Sequence, residues 1–283
     1  ILKVHSRNKP IAKNVDFKKI AKGTIGFSGA DLENLMNEAA ILAAKGNKKT
    51  ISAHEVEQSI EKVLLGPEKK SRIMSDKEKK LTAYHEVGHA LIGHLLPGCD
   101  PIHKVSIISR GMAGGVTWSR PDEEKNYISK SYFEDDLAMM LGGYVAEETF
   151  FGETSTGPSS DLQRATKVAR SMITKYGMSS MGPIVFGESN DEIFLGRDFG
   201  HMKNYSEESA AKIDELTKKS LEKAYEKAKE LITKHKKIMI QISEDLIKKE
   251  NISGDELKKY FEGVAVPAKE KVEKVKVKSE ESE

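Results

Sequence analysis

The chain has 283 residues, a length that allows one large domain or two smaller ones, and it is 38% hydrophobic and 32% charged. Its 46 basic and 44 acidic residues leave a formal net charge of +2, which gives no indication of nucleic-acid binding, and its single cysteine, Cys99, excludes an internal disulfide and a metal site built from several thiolates. No stretch approaches the ~20 apolar residues of a membrane span, and the N-terminus shows no signal peptide. The sequence begins at Ile1 without an initiator methionine, so we expect a piece of a longer protein.

The first 64 residues are predicted to form a small helical unit. A short helix is expected near residues 17–22. Ser28, with Asp31 three residues later, forms a variant of the capping box that opens a helix from Ala30 to Lys45. Ser52 is expected to cap a further helix. A bundle of this size is marginal on its own.

A charged stretch at residues 65–76 is predicted to be a linker, with Ser75 and Asp76 capping a helix that begins near Lys77. The single cysteine of the chain fits a reducing compartment.

That helix carries the sequence His-Glu-Val-Gly-His at positions 85–89. Residues i and i+4 share one helix face, so His85 and His89 can bind a single metal ion, and Glu86 can reach a water molecule beside the metal without binding the metal itself. This H-E-x-x-H pattern is typical of two zinc ligands and the general base of a hydrolase. Two solvated histidines are the competing interpretation, but the apolar neighbours predict a buried helix whose polar groups need partners. We also expect the small residues Gly88 and Ala90 to leave room beside the metal.

A strand is predicted from Ile102 to Ser109, with Val116–Trp118 returning as its partner after a flexible turn. An unpaired strand edge beside the metal site can bind an extended peptide by strand addition, and an ordinary hairpin explains the pattern equally well.

The next segment is predicted to be helical from Ser131 to Phe150, and Gly142-Gly143 in its middle indicates close helix packing. A polar loop then leads into a helix at Asp161, with Ser159 or Ser160 as its N-cap. The helix dipole favours a carboxylate at that position.

The third metal ligand has several candidates. A metzincin would place glycine at 92 and histidine at 95, where this chain has Ile92 and Leu95. His94 is one residue out of place, which turns it about 100° around the helix, so the metzincin interpretation fails. A gluzincin-like site would take Glu147 or Glu148 from a second helix, and the residues alone leave that choice open.

The rest of the chain is expected to be largely helical. His103 and His201 have no ligand spacing and are interpreted as surface residues. The remaining predicted elements are a helix at 165–176, a hairpin at 191–196, a long helix from 206 to about 236, a helix at 242–249, a short helix from 253 and a disordered charged tail at 267–283.

Two motifs together resemble the FtsH family of membrane-bound, ATP-dependent zinc proteases. One is the His-Glu-Val-Gly-His sequence, and the other is Gly-Phe-Ser-Gly-Ala-Asp-Leu at 26–32 with Asn-Glu-Ala-Ala at 37–40, which looks like the lid of an AAA+ ATPase. The resemblance extends to about Val266. It implies a mainly α fold: a helical AAA lid subdomain (1–64), the linker (65–76), and a mostly helical zinc-peptidase domain (77–266) with a small β-sheet near the active site.

The resemblance also implies roles for individual residues. Asp161 matches the aspartate that this family places at the start of the helix after the polar loop. His85, His89 and Asp161 would then bind Zn²⁺, Glu86 would be the catalytic base, and Glu148 would be a residue that orients a ligand or the second choice for the third ligand. The family's usual Ala-Leu-Gly beside the cleft is Ala-Gly-Gly at 113–115 here, so the cleft contacts are expected to differ.

The lid motif implies that the Gly29-Ala30 backbone lies against a nucleotide. No phosphate loop, Walker B strand or arginine finger precedes it, so this chain alone is not expected to hydrolyse ATP. For the full-length protein the resemblance implies ATP and Mg²⁺, a homo-hexamer, unfolded or membrane-extracted polypeptide substrates, and N-terminal membrane spans that leave this part on the cytoplasmic or organellar interior face. The alternative is an inert scaffold for ring formation, which would not need Glu86.

Overall fold

The computed structural model describes residues 1–68, 74–110, 114–121, 125, 127–187 and 204–264. Within these residues the chain forms eleven α-helices and three short strands, which confirms the prediction of a mainly α fold. The expectations for residues 69–73 of the predicted linker (65–76), for Ala113, for the hairpin at 191–196, for His201 and for the tail at 267–283 lie outside the described residues.

The helices are α1 (Leu2–His5), α2 (Phe17–Lys22), α3 (Gly29–Lys45), α4 (Ala53–Leu65), α5 (Asp76–Leu95), α6 (Lys130–Met140), α7 (Gly142–Phe151), α8 (Ser159–Thr174), α9 (Glu207–Lys234), α10 (Lys236–Lys249) and α11 (Gly254–Tyr260). The strands are β1 (Ile102–Ser106), β2 (Val116–Ser119) and β3 (Asn251–Ser253). None of the helices in the described parts of the chain combines the length and apolar character needed to cross a bilayer.

Helices α1 to α4 enclose a hydrophobic core of their own, with Leu35 and Met36 fully buried at its centre. The predicted capping box opens α3: the Ser28 N–H and hydroxyl donate to the Asp31 carboxylate, and the Asp31 N–H donates to the Ser28 hydroxyl. At the start of α4, Glu55 accepts hydrogen bonds from the Ser52 N–H and hydroxyl. Local sequence signals therefore set both helix starts.

The second hydrophobic core is built around α5, which packs against α7 and α10. Gly88 lies against α7 so closely that an added Cβ would be 2.8 Å from the Ala146 Cβ. The predicted close packing of the Gly142-Gly143 pair is therefore observed. The expectation that Gly88 and Ala90 leave room beside the metal is wrong. Helix α7 occupies the space beside Gly88, and Ala90 is buried in the hydrophobic core.

Several boundaries differ from the sequence predictions, among them the strand expected from Ile102 to Ser109, which ends at Ser106. The helix expected over 131–150 is two helices, because the chain turns at Leu141 between α6 and α7. Pro158, rather than Ser159 or Ser160, is the N-cap of α8, and no side chain caps that helix. Helix α10 begins at Lys236 rather than near residue 242.

The sheet has the strand order β2-β1-β3, with both pairs antiparallel. Val105 in the central strand pairs with Thr117 on one side and with Ile252 on the other. The β1–β2 hairpin was predicted, whereas the three-residue strand β3 is too short to be recognised from periodicity. Among the described residues no strand pairs with the outer edge of β2.

The N-terminal helical unit also contacts the region of this sheet. Glu61 of α4 accepts hydrogen bonds from Lys104 at 2.8 Å and from Arg110 at 2.9 Å. The Arg120 guanidinium donates to the Gly23 carbonyl at 3.2 Å, and Trp118 of β2 packs against the core of α1 to α4. The sheet therefore lies between the N-terminal helices and α5. The domain boundaries at residues 64 and 77 stay a prediction.

Candidate active site

Three side chains predicted to bind a metal meet at one point. His85 and His89 lie one turn apart on α5, and Asp161 lies in the first turn of α8. The two Nε2 atoms are 3.1 Å apart, and they lie 3.4 Å and 3.5 Å from Asp161 Oδ2. The three candidate ligand atoms thus form a nearly equilateral triangle.

The outer nitrogen of each imidazole is held by an acceptor. His85 Nδ1 lies 2.9 Å from Glu147 Oε1, and His89 Nδ1 lies 2.7 Å from the Met139 carbonyl oxygen. Because a carbonyl or carboxylate oxygen needs a donor, these contacts assign a proton to each Nδ1 and direct each Nε2 lone pair toward Asp161. This arrangement is the one expected of histidines that bind a metal.

The triangle fits a zinc ion. Tetrahedral zinc with bonds of about 2.0–2.1 Å keeps its ligand atoms roughly 3.3 Å apart, close to the separations in this site. Two lone pairs and a carboxylate oxygen that face one another repel unless a cation lies between them. The chemistry of His85, His89 and Asp161 therefore suits a divalent metal.

The pKa shifts of His85 and Asp161 also indicate a site that favours a positive charge. Burial lowers the pKa of His85, but the carboxylates of Asp161 and Glu147 outweigh it and raise that pKa to about 10. Burial likewise opposes ionisation of Asp161, yet the neighbouring imidazoles of His85 and His89 hold the pKa of its carboxyl well below its usual value. The site stabilises a positive charge, which a proton or a metal ion can supply.

Glu147 rather than Glu148 is the acidic partner of His85. Glu147 is 1% exposed, and it also accepts a 2.7 Å hydrogen bond from the Ser155 N–H. Burial raises the pKa of its carboxyl, but the bonds from His85 and Ser155 more than compensate and lower that pKa. The expectation that Glu148 orients a ligand is wrong: one residue further around α7, it accepts a hydrogen bond from the Tyr225 hydroxyl and lies near Lys229.

Glu86 lies beside the triangle, and its side chain is buried. Burial raises the pKa of its carboxyl, although His85, His89 and a hydrogen bond from Thr117 act in the opposite direction. The Thr117 hydroxyl is 2.7 Å from Glu86 Oε2. A carboxyl with a raised pKa beside a metal site suits proton transfer near neutral pH.

A cleft of about 490 Å³ brings these groups together, since it is lined by the three candidate ligands, by Glu86 and by the strand β2. Gly115 is needed at its wall, because a Cβ there would lie 2.8 Å from Glu86 Oε1. The glycine of the Ala-Gly-Gly stretch thus makes room for the carboxylate.

Other predicted residues lie elsewhere. His94 stacks on Phe261 at a ring-centroid distance of 4.1 Å, which agrees with the rejection of a metzincin site. His103 contacts Arg120 and is half-buried rather than on the surface. Gly29 and Ala30 open α3 and do not line the cleft.

Sequence reasoning missed two partners of the site. Thr117 carries no motif, and its contact with Glu86 depends on how β2 lies across α5. The Met139 carbonyl is available to His89 because α6 passes close to α5, and a backbone oxygen leaves no signal in the sequence.

The chain is similar to proteins of known class. Residues 72–260 match peptidase family M41, and residues 14–58 match the AAA+ lid domain. It is 51% identical over 264 residues to "ATP-dependent zinc metalloprotease FtsH 1" of Thermoanaerobacter sp. (strain X514), a match that covers 93% of this chain and 43% of that protein. It is 53% identical over 264 residues to "ATP-dependent zinc metalloprotease FtsH" of Veillonella parvula, covering 92% of this chain and 41% of that protein. The chain therefore spans about two fifths of the length of these relatives.

Proposed function

Because this chain belongs to peptidase family M41, we propose that it carries the proteolytic centre of an ATP-dependent zinc metalloprotease. In this proposal His85, His89 and Asp161 bind Zn²⁺, and Glu86 is the general base. The observation that carries it is the triangle of ligand atoms, 3.1–3.5 Å apart, beside a buried carboxylate. The names of the similar proteins do not favour the inert-scaffold alternative.

The reaction is hydrolysis of a peptide bond. A zinc ion, when bound, supplies Lewis acidity that polarises the peptide carbonyl and lowers the pKa of water at the site. The protein holds the two imidazoles through Glu147 and Met139, so that both Nε2 atoms face Asp161. The Glu86 carboxylate accepts a proton from the attacking water and delivers it to the leaving amide nitrogen.

The proposed substrates are unfolded or membrane-extracted polypeptides. Strand β2 supports this part of the proposal, because its residues 116–119 line the cleft and no described strand occupies its outer edge. An extended peptide can hydrogen-bond to such an edge, which brings its backbone past Glu86.

ATP and Mg²⁺, a homo-hexamer and membrane anchoring through N-terminal spans are proposed for the longer protein, with this part on the cytoplasmic or organellar interior face. The nucleotide would lie near Gly29 and Ala30 at the start of α3. A Cβ at Gly29 would meet no atom within 4 Å, so Gly29→Ala tests this without crowding the fold. In the longer protein this change is expected to weaken ATP binding and to leave the zinc content unchanged. Equal ATP affinity in both proteins would contradict the assignment.

Zinc content and cleavage of labelled casein test the proteolytic centre. Wild type is expected to bind one zinc ion per chain and to cleave casein. Glu86→Gln should keep the zinc and lose cleavage, whereas Asp161→Asn should lose both, because a neutral amide is a poor zinc ligand. A wild type without zinc, or a Glu86→Gln variant that cleaves at the wild-type rate, would overturn the proposal. If Glu148→Gln loses zinc and Asp161→Asn does not, the third ligand is misassigned.

A further inference from the structure

Strand β2 contacts Glu86 through the hydroxyl of Thr117, a residue that is not one of the proposed metal ligands. The Thr117 hydroxyl lies 2.7 Å from Glu86 Oε2 and 2.8 Å from the Glu86 carbonyl oxygen. Among the described residues, Thr117 is the one side chain that donates a hydrogen bond to the Glu86 carboxylate. The Thr117 hydroxyl therefore contacts both the side chain and the backbone of Glu86.

A glutamate side chain has three rotatable bonds, so burial alone does not fix the direction of its carboxylate. The hydroxyl of Thr117 ties Oε2 to the strand and leaves Oε1 on the side of Gly115, where the missing Cβ provides space. One carboxylate oxygen is thus occupied, and the other is available to exchange a proton.

We propose that Thr117 is a positioning residue for Glu86: its hydroxyl holds the carboxylate in the orientation that proton transfer requires. This inference rests on the proposed function, because it assumes that Glu86 is the general base. Thr117 itself is not placed on the substrate or on the metal.

A threonine in a strand has an ordinary explanation, since β-branched residues are common there. Thr117→Val separates the two explanations, because valine keeps the shape and the β-branch and loses only the hydroxyl. Thr117→Ser keeps the hydroxyl and loses the methyl group. Thr217→Val is the matched control: Thr217 is buried in α9, and its hydroxyl donates to the Ile213 carbonyl of the same helix at 2.7 Å, far from any contact with Glu86.

The kinetic test measures kcat and KM on a labelled unfolded peptide with zinc-loaded protein, together with zinc content by elemental analysis. A hydrogen bond to a charged group has an energy that corresponds to roughly a 10- to 100-fold change in rate. We expect Thr117→Val to lower kcat by about that factor, with KM and zinc content unchanged, Thr117→Ser to recover most of the rate, and Thr217→Val to behave as wild type.

A second test does not depend on activity. Urea unfolding of wild type, Thr117→Val, Glu86→Ala (which removes the acceptor) and the double variant, at one fixed concentration of free zinc, gives the coupling between the two side chains. The proposal predicts that the unfolding equilibrium constants are non-additive by at least about threefold.

Failure of this inference differs from failure of the proposed function. If wild type lacks zinc or Glu86→Gln cleaves normally, the proposed function fails. If those two results are as expected but Thr117→Val keeps the wild-type kcat, or Thr117→Ser loses as much as Thr117→Val, the positioning role is wrong. Additive unfolding in the double-variant cycle would overturn it independently.

Discussion

Removing the charge of Glu147 is the sharpest test of how the protein holds the two imidazoles that we propose bind zinc. Its carboxylate accepts two hydrogen bonds on different oxygens, from His85 Nδ1 at 2.9 Å and from the Ser155 N–H at 2.7 Å. In Glu147→Gln only one of the two terminal atoms can accept. Either the loop at Ser155 loses its acceptor, or the amide NH₂ faces His85 and favours a proton on Nε2, where it competes with zinc.

The expected cost follows from the second of these arrangements. Loss of a partner that orients a metal-binding histidine lowers metal affinity by about 10- to 100-fold, or roughly 1.4–2.8 kcal/mol of binding free energy. Competition for zinc against a chelator of known affinity measures it, with circular dichroism to confirm that both proteins are folded.

Glu148→Gln is the matched control, since this neighbouring carboxylate contacts Tyr225 and Lys229 instead of the site. It should bind zinc within about twofold of wild type. If Glu147→Gln binds zinc as tightly as wild type, or if both variants lose affinity equally, the orienting role of Glu147 is refuted.

Two further predictions concern Gly143, which lies against His85, and Glu55 at the start of α4. Gly143→Ala places a Cβ 2.5 Å from His85 Nε2, so the imidazole ring must move. We expect zinc binding to be at least about tenfold weaker. We also expect the free energy of unfolding to fall by about 1–3 kcal/mol. Glu55→Gln tests the start of α4: hydrogen bonds from Lys48 and Ser52, opposed by burial, lower the pKa of Glu55 to about 2 from 4.5. Because the folded-state pKa is the lower one, the carboxylate stabilises the fold fully above pH 4.5, and this contribution disappears as the pH falls toward 2. Urea unfolding should show a penalty of about 1 kcal/mol for Glu55→Gln at pH 7 that shrinks on acidification.

Each of these predictions has a control on the same kind of element. Gly29→Ala adds a Cβ with no atom within 4 Å and should leave zinc affinity unchanged. Glu57→Gln removes an exposed carboxylate from α4 that lies 3.5 Å from Lys19, and it should change stability little at any pH. Normal zinc binding by Gly143→Ala, or a penalty for Glu55→Gln that is constant from pH 7 to pH 3, would contradict the reasoning.

The sequence predicts well wherever a few neighbouring residues decide the structure. The one-turn spacing of His85 and His89 determines that both imidazoles share a face, whatever the rest of the chain does. Ser28 with Asp31, and Ser75 before α5, mark helix starts by hydrogen bonds within four residues.

Prediction is weaker where the answer depends on packing between distant segments. The position of Asp161 came from family resemblance, because no local pattern says that α8 begins beside α5. The choice between Glu147 and Glu148 depends on the rotation of α7, which is set by the turn at Leu141 and by the contact of Gly142 with Gly88. Strand β3 forms because β1 offers it a free edge, rather than because its three residues favour a strand.

The tryptophan on β2 has a consequence for spectroscopy. Trp118 is the single tryptophan of the chain, and it follows the threonine that contacts Glu86. Its indole packs against the core of α1 to α4, lies 5.5 Å from the Arg120 guanidinium and lines the cleft that holds the candidate ligands. All indole emission from this chain therefore originates at the junction between the N-terminal helices and the cleft. A shift of those helices, or a peptide entering along β2, changes the surroundings of one fluorophore, so the protein carries its own optical reporter of that junction.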